Sequence, residues 1–421
     1  MSELTSGIKL TQRTPRADLR FLEAYIVAVL YGLVNSSLRG LRLLLWPRRR
    51  PSNPQRICIY RIGFIGDTVV ALPAMRAIRT AYPRAHLTLL TSPVDGKFPG
   101  ANELLANSEL FDEVRVYLNS EVTGLRNRVA FVRLMRHYRF DIWIDLPQEL
   151  AGPIGHLRNL LFARLTGAKW GYGWGFVTTM RLWLKAQAEF LKFPNEVERL
   201  LKIVRDAGIS AGHEVVFPIQ ISSKEELSID RLLAGVAHQM IAIAPGAKRQ
   251  LSLWPVERYV KVGKHLASKG FTVVILGGKA DARACDSVAE GIGGDTVNLA
   301  GRTSLKESCE VLRRCCILVC NDSGVQHLAS AVGTPCISIF SAHDMPGKWN
   351  PYGSGNIVLR RKVECHPCYL STCPYDNRCL KLIETDEVLA AIDLKLQERC
   401  DDTSSGAPDC GSSETTARRT A

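Results

Sequence analysis

Asp67 is the residue whose surroundings best suit it to chemistry. It closes the run Arg61-Ile62-Gly63-Phe64-Ile65-Gly66-Asp67, which joins an apolar strand, Ile57–Tyr60, to an apolar helix reaching Ala81. Gly63 and Gly66 permit a tight turn and close backbone approach, and a carboxylate at the helix start can take a proton from a bound hydroxyl. The same aspartate can instead cap the helix by accepting from a free backbone N–H. In either role a low pKa is expected, because a helix start favours the ionised form.

A second set of loops carries glycine or small hydroxyl residues. These are Pro245-Gly246-Ala247-Lys248, Gly277-Gly278 and Asn321-Asp322-Ser323-Gly324-Val325-Gln326-His327, each following an apolar strand. Backbone N–H groups at such helix starts bind phosphate, so a nucleotide diphosphate is the guest they suit. A carboxylate beside a pyrophosphate would repel it, so Asp322 is expected to cap the helix or meet sugar hydroxyls. His327 fits either a ligand contact or a satisfied core histidine. Further on, Cys365, Cys368, Cys373 and Cys379 have the spacing of a zinc or iron–sulfur knuckle, with a local disulfide or free structural thiols as the alternatives.

These loops need strands and helices to hold them. Apolar strands are expected at Ile57–Tyr60, Leu87–Thr91, Val114–Tyr117 and Ile142–Asp145. A second series runs Ile241–Ala244, Phe271–Leu276, Thr296–Leu299, Ile317–Cys320 and Cys336–Phe340. Strands alternating with helices predict parallel sheets covered on both faces, hence an α/β chain of two Rossmann-like doubly wound domains with a cleft between them. The divisions fall at 1–54 (a basic, apolar N-terminal segment), 55–210 (first domain), 211–238 (transition), 239–398 (second domain) and 399–421 (a Ser/Thr-rich tail without periodicity, expected to be disordered).

The 421 residues suit two cores rather than one, and the 46% hydrophobic share excludes both a disordered chain and a polytopic membrane protein. Net charge is +13, with a concentration of arginines around Phe21–Trp46. Arg39 and Arg42 interrupt that apolar run where a membrane span would be completed, so a helix lying in the membrane interface is favoured over a true span or a helix packed on the protein's own surface. Basic residues are not interleaved with aromatics on any recognisable nucleic-acid module, and no nucleic-acid partner is expected. Cys58, Cys285, Cys309, Cys315, Cys316, Cys320 and Cys336 fall in apolar elements, as free thiols of a reducing compartment do, which points to the cytosol.

From about Arg56 to Ile383 the order of these blocks resembles glycosyltransferase family 9, the lipopolysaccharide-core heptosyltransferases. Arg61, Gly66, Asp67, Leu72, Pro73, Ala74 and Arg76 match the family's first turn, and Asn321–Ala329 with Gly333-Thr334-Pro335 matches its second hallmark. The resemblance implies a GT-B architecture, with the acceptor on the first domain and a nucleotide-sugar donor on the second. It implies inverting transfer with no required cofactor or metal, and ADP-heptose as donor. The acceptor would be a lipid-linked saccharide such as the lipopolysaccharide core, met at the cytoplasmic face of the inner membrane. By the same resemblance Asp67 is the general base, while Ser323, Gly324 and His327 hold the diphosphate. One departure stands out: a lysine that many members carry two residues before the Trp-Pro pair is Ser252 here, leaving Lys248 or Arg249 to supply the charge. A non-catalytic nucleotide-sugar-binding or scaffold protein is the alternative reading.

Overall fold

The computed structural model describes residues 15–47, 49–92, 101–105, 107–148, 152–175, 193–236, 239–294 and 296–403. Its two parallel sheets are built from the strands the apolar runs predict, plus two short ones they do not. The first sheet contains β1 (Arg56–Tyr60), β2 (His86–Thr91), β3 (Glu113–Val116), β4 (Ile142–Asp145) and the unforeseen β5 (Trp170–Tyr172), in the order β3-β2-β1-β4-β5. The second contains β6 (Met240–Ala244), β7 (Thr272–Ile275), β8 (Thr296–Asn298), β9 (Cys315–Asn321), β10 (Cys336–Phe340) and the unforeseen β11 (Ile357–Arg360), in the order β11-β10-β9-β6-β7-β8. Every pairing is parallel. The strand order reverses between β1 and β4 in one sheet and between β6 and β9 in the other. In open parallel sheets ligands bind at such switch points.

Helices cover both faces. On one side of the first sheet lie α2 (Ile65–Val69), α3 (Leu72–Ala81) and, returning from later in the chain, α8 (Glu196–Asp206). The expected single helix from Asp67 to Ala81 is thus two. Pro73 lies in the first turn of α3 and has no N–H to donate back to the preceding turn, so the helical ladder is interrupted there. The other side of the sheet is covered by the end of α1 (Pro15–Leu45), by α6 (Gly124–Arg136) and by α7 (Pro153–Leu165), around Trp46, Phe131, Met135, Trp143 and Leu160. Shorter helices, α4 (Ala101–Leu105) and α5 (Asn119–Val122), precede α6.

The transition segment contributes α9 (Ser223–Leu232), started by a capping box between Ser222 and Glu225. It packs on α12 (Leu305–Arg314), to which Ser228 bonds through Glu307 at 2.6 Å. Around the second sheet also lie α10 (Val256–Ser268), α11 (Ala282–Ile292), α13 (Gly324–Ala331), α14 (Arg378–Lys381) and α15 (Thr385–Thr403). The last of these runs five residues into the stretch expected to be disordered; residues 404–421 lie outside the described residues. Cys316 corrects another expectation. It is disulfide-bonded, whereas Cys58, Cys285, Cys309, Cys315, Cys320 and Cys336 are free and buried.

The N-terminal run forms one continuous helix, α1, and among the described residues no helix is long and apolar enough to cross a membrane. Its two ends differ in character. Tyr25, Ile26, Val29, Leu30 and Leu33 are exposed, whereas Leu38 and Trp46 are buried. Trp46 stacks on Trp174 at 5.3 Å and donates its indole N–H to the Ala168 carbonyl at 2.8 Å. Arg42 donates to the Gly171 carbonyl at 2.9 Å and lies over the Trp170 ring. The end of α1 is therefore part of the first domain's core, not a detachable arm. Trp46→Ala should lower stability by about 3–5 kcal/mol through the cavity it opens, measured by urea denaturation of the full chain.

Candidate active site

The turn after β1 is organised by a buried guanidinium. Arg61, with 1% of its side chain exposed, donates to the Asp67 carbonyl from both Nε (3.1 Å) and Nη2 (2.9 Å). Its Nη1 reaches the carbonyls of Leu146 (3.0 Å) and Pro147 (3.2 Å) past the end of β4. Arg61 thereby ties together the two loops at the first sheet's switch point. Glu196, fully buried in the first turn of α8, lies 3.8 Å from the same guanidinium and is held by two 2.7 Å bonds from Arg199. Arg199 also donates to the Pro147 carbonyl at 2.6 Å. A buried carboxylate is tolerated only when paired and hydrogen-bonded in this way.

Asp67 sits at the edge of this network. One carboxylate oxygen accepts from the Phe64 N–H at 3.0 Å and the other is 3.5 Å from Arg61 Nη2, while 15% of the side chain stays exposed. The capping interaction and an accessible carboxylate thus coexist. The side chain folds back over Gly63, whose φ is +154°, and a Cβ at Gly63 would lie 2.3 Å from the Asp67 Cβ. That close approach is why glycine is needed there. The low pKa expected of Asp67 is corrected: burial raises it above its ordinary value, against the pull of Arg61, the Phe64 N–H and Lys348, and with Glu196 adding to the rise. Desolvation outweighs the helix start because most of the carboxylate's water has been replaced by protein.

Across the interdomain boundary, the start of α13 meets the start of α2 directly. A Cβ on Gly66 would lie 3.1 Å from the His327 ring, and one on Gly324 would lie 2.5 Å from Ile65 Cγ2. Lys248 extends over the Phe64 ring, its Nζ 3.1 Å from the centroid. The crevice expected between the domains is closed at this point by contacts among Phe64, Ile65, Gly66, Lys248, Gly324 and His327.

The other second-domain loops are placed as follows. Ser323 is the N-cap residue of α13 in extended conformation, with no side-chain capping bond. Asp322 does not cap that helix. Its carboxylate accepts from Gln326 at 3.2 Å and feels Arg360 and Arg249. Asn321 is fully buried and fully engaged: its carbonyl accepts from the Trp254 N–H (3.0 Å) and the Tyr259 hydroxyl (2.9 Å), and its amide donates to Pro245 (2.6 Å). It holds the loop that carries Gly246, Ala247 and Lys248 against the end of β9. Gly246, Gly277 and Gly278 gather around one side chain, that of Asp281. A Cβ on Gly246 would lie 2.3 Å from its carboxyl carbon, and the Gly278 N–H donates to it at 3.0 Å.

Burial sets the protonation of this side of the crevice. His327 is pushed down to about 4, so its imidazole is neutral and acts as a hydrogen-bond partner instead of a cation; its ring packs edge-on against Trp349. Asp322 is pushed up to about 6 by burial, with Asp344 adding to the rise. The four late cysteines are free thiols lining one cavity of about 20 Å³ together with His343. Among the described residues, no group of three or more His, Cys, Asp or Glu is placed to hold a metal ion.

Lys348 and Arg360 were not singled out from the sequence, although Lys348 lies in the segment after β10 and Arg360 is the last residue of β11. Lys348 is 3% exposed, with Nζ 4.8 Å from the Trp349 ring centroid, and burial pulls it down to about 7 while the nearby Asp67 carboxylate opposes the fall. Its carbonyl accepts from the Glu196 N–H at 2.9 Å, which anchors the loop after β10 to the start of α8. Arg360 ends β11, donates to the Asp344 carbonyl at 2.7 Å, and keeps Nε and Nη2 buried without hydrogen-bond partners. The signal for both was positional: cations in segments leaving the carboxyl ends of parallel strands.

Two parallel doubly wound sheets meeting at their switch points are the frame of a GT-B glycosyltransferase, and comparison with known proteins agrees. The model of glycosyltransferase family 9 (heptosyltransferase) matches residues 128–378, and the chain belongs to that family. It is 31% identical over 303 residues to the lipooligosaccharide heptosyltransferase 2 of Haemophilus influenzae, covering 68% of this chain and 82% of that one. Among solved structures it resembles a family 9 glycosyltransferase of Veillonella parvula (TM-score 0.64, 20% identity, 82% of this chain and 98% of that one). It also resembles the ADP-heptose lps heptosyltransferase II of E. coli (TM-score 0.60, 22% identity, covering 82% and 99%).

The Asp322 carboxyl binds its proton more tightly in the folded chain than in the unfolded one. Its contribution to stability is therefore lost as pH rises from about 4 to about 6 and stays lost above that. Asp322→Asn should raise the melting temperature at pH about 8, by roughly 1–3 kcal/mol of stability, and leave it nearly unchanged at pH about 4. Thermal denaturation at the two pH values checks this.

Proposed function

We propose that the chain transfers a heptose from ADP-heptose to the saccharide of a lipopolysaccharide-core or other lipid-linked acceptor. The transfer inverts the anomeric centre in one displacement without a metal, at the cytoplasmic face of the inner membrane, with the exposed half of α1 lying on that surface. The observation that carries this reading is the contact of Ile65 and Gly66, in the turn that holds Asp67 at the first sheet's switch point, with Gly324 and His327 at the start of α13. The names of the relatives support the donor and acceptor classes.

In this mechanism Asp67 removes the proton of the acceptor hydroxyl as its oxygen bonds to the anomeric carbon, a contribution of about 10²–10⁴ in rate. The bond to the diphosphate breaks with its electron pair staying on the phosphate oxygen. Backbone N–H groups at the start of α13, the Ser323 hydroxyl and the neutral His327 ring receive that charge, and Lys248, Arg249 and Arg360 supply the positive field. Because Gly66 and Gly324 are in contact, donor entry requires the two domains to part there and to close again around the diphosphate.

Lys348 has a specific part in this arrangement. Burial raises the Asp67 pKa; Arg61, the Phe64 N–H and then Lys348, delivered from the second domain by the loop bound to Glu196, oppose that rise and favour the ionised base.

Asp67→Asn should lower turnover about 10²–10⁴-fold with donor affinity nearly unchanged, read by steady-state kinetics and donor titration; wild-type turnover would remove Asp67 from the mechanism. Lys348→Met should move the acidic limb of the kcat/KM profile to higher pH, with Lys348→Arg restoring it. An unshifted limb with uniformly reduced rates would reduce Lys348 to packing. In a thermal-shift panel of nucleotide sugars, ADP-heptose should give the largest rise in melting temperature, since stabilisation follows affinity.

A further inference from the structure

The helix α7 is inverted relative to an ordinary surface helix. Its core face carries His156 and Asn159 beside Leu160 and Ala163, all buried, while Ile154, Leu157, Leu161 and Leu165 face outward. Spaced by three, four and four residues, these four form one stripe on the helix face opposite the core. Ile154 is 84% exposed. A surface helix normally places its polar residues outward, so a continuous outward aliphatic stripe marks an interaction surface.

The stripe has apolar neighbours. The helix α7 lies between α1 and α6, in contact with both, and all three cover the same face of the first sheet. On α6, Leu125 is 80% exposed and Val129 is also exposed; on α1, Leu30 and Leu33 are. Arginines frame the patch. By helical spacing Arg158 and Arg164 flank the α7 stripe on either side, and α6 carries Arg126, Arg128, Arg133 and Arg136. Neither helix contains an aspartate or glutamate.

We infer that α7 and α6 form with α1 a single surface that seats the first domain on an anionic phospholipid bilayer. Aliphatic side chains enter the boundary of the acyl region while the flanking guanidinium groups remain among lipid phosphates, the arrangement by which amphipathic helices bind membrane interfaces. A nucleic acid would satisfy the arginines but leave the aliphatic stripe in water. A second copy of the chain would bring arginine against arginine, because neither helix offers an acid to pair with. This surface extends the interfacial reading of α1 given with the proposed function, on which it rests.

The test uses the full chain and sedimentation with vesicles of phosphatidylglycerol and phosphatidylcholine in equal parts. Ile154→Glu/Leu161→Glu/Leu165→Glu should weaken partitioning about tenfold or more, with melting temperature and turnover on a soluble acceptor unchanged. Wild-type binding should weaken with salt and on vesicles of phosphatidylcholine alone. Leu30→Glu/Leu33→Glu, run in parallel, separates the two readings. Loss in this variant with none in the α7 variant would leave α1 as the anchor by itself and overturn the three-helix surface. No loss in either would overturn the interfacial role of α1 as well. If gel filtration shows a wild-type oligomer that the α7 substitutions dissolve, the surface is a contact between copies and the inference fails.

Discussion

The guanidinium of Arg61 is the constraint on which the candidate active site depends. With almost no access to water, it must satisfy its donors within the protein, and it does so on carbonyls from two strand-end loops and on the neighbouring carboxylates of Asp67 and Glu196. A buried cation of this kind is costly to leave unpaired, so the loops after β1 and β4 are held in one arrangement. Asp67 inherits its position from that arrangement, and Gly63 supplies the space for it to fold back.

A second constraint joins the domains. The loop after β10 is stitched to the start of α8 by the bonds Phe193 N–H to Pro346, Glu196 N–H to Lys348 and Asn195 to Asn350, and by Tyr352 to Glu198 at 2.7 Å. On the other side of the crevice Ile65 and Gly66 lie against Gly324 and His327, and Lys248 lies over the Phe64 ring. The first seam is rich in hydrogen bonds. A hinge at the first seam would open the second, where the proposed mechanism has the diphosphate enter.

The faces of the first domain divide the work. One side of its sheet carries α3 and α8 and turns toward the second domain; the other carries α1, α6 and α7, whose outward surface is aliphatic and basic. In the proposed reaction such a division lets the saccharide of a lipid-linked acceptor reach the crevice while its lipid remains in the bilayer.

The parallel sheets were legible in the sequence because buried strands read as short apolar runs with glycine turns at their ends. Each strand expected from such a run is present. β5 and β11 were not legible, being three and four residues long at the sheet edges, where the apolar signal is weak. Glycine spacing likewise pointed to the turn of Asp67 and to the start of α13, since only glycine accommodates those backbone approaches. What the sequence could not determine is everything that depends on distance across the fold. The pKa of Asp67 turns on desolvation in the folded chain, set against Arg61, the Phe64 N–H and Lys348. Lys348 gains its importance from a loop that packs hundreds of residues away from Asp67 along the chain, and the outward stripe of α7 looks like any buried helix face until its other side is found on the sheet. Local propensity and spacing act over a few residues, while desolvation and charge pairing act between segments that only the folded chain brings together.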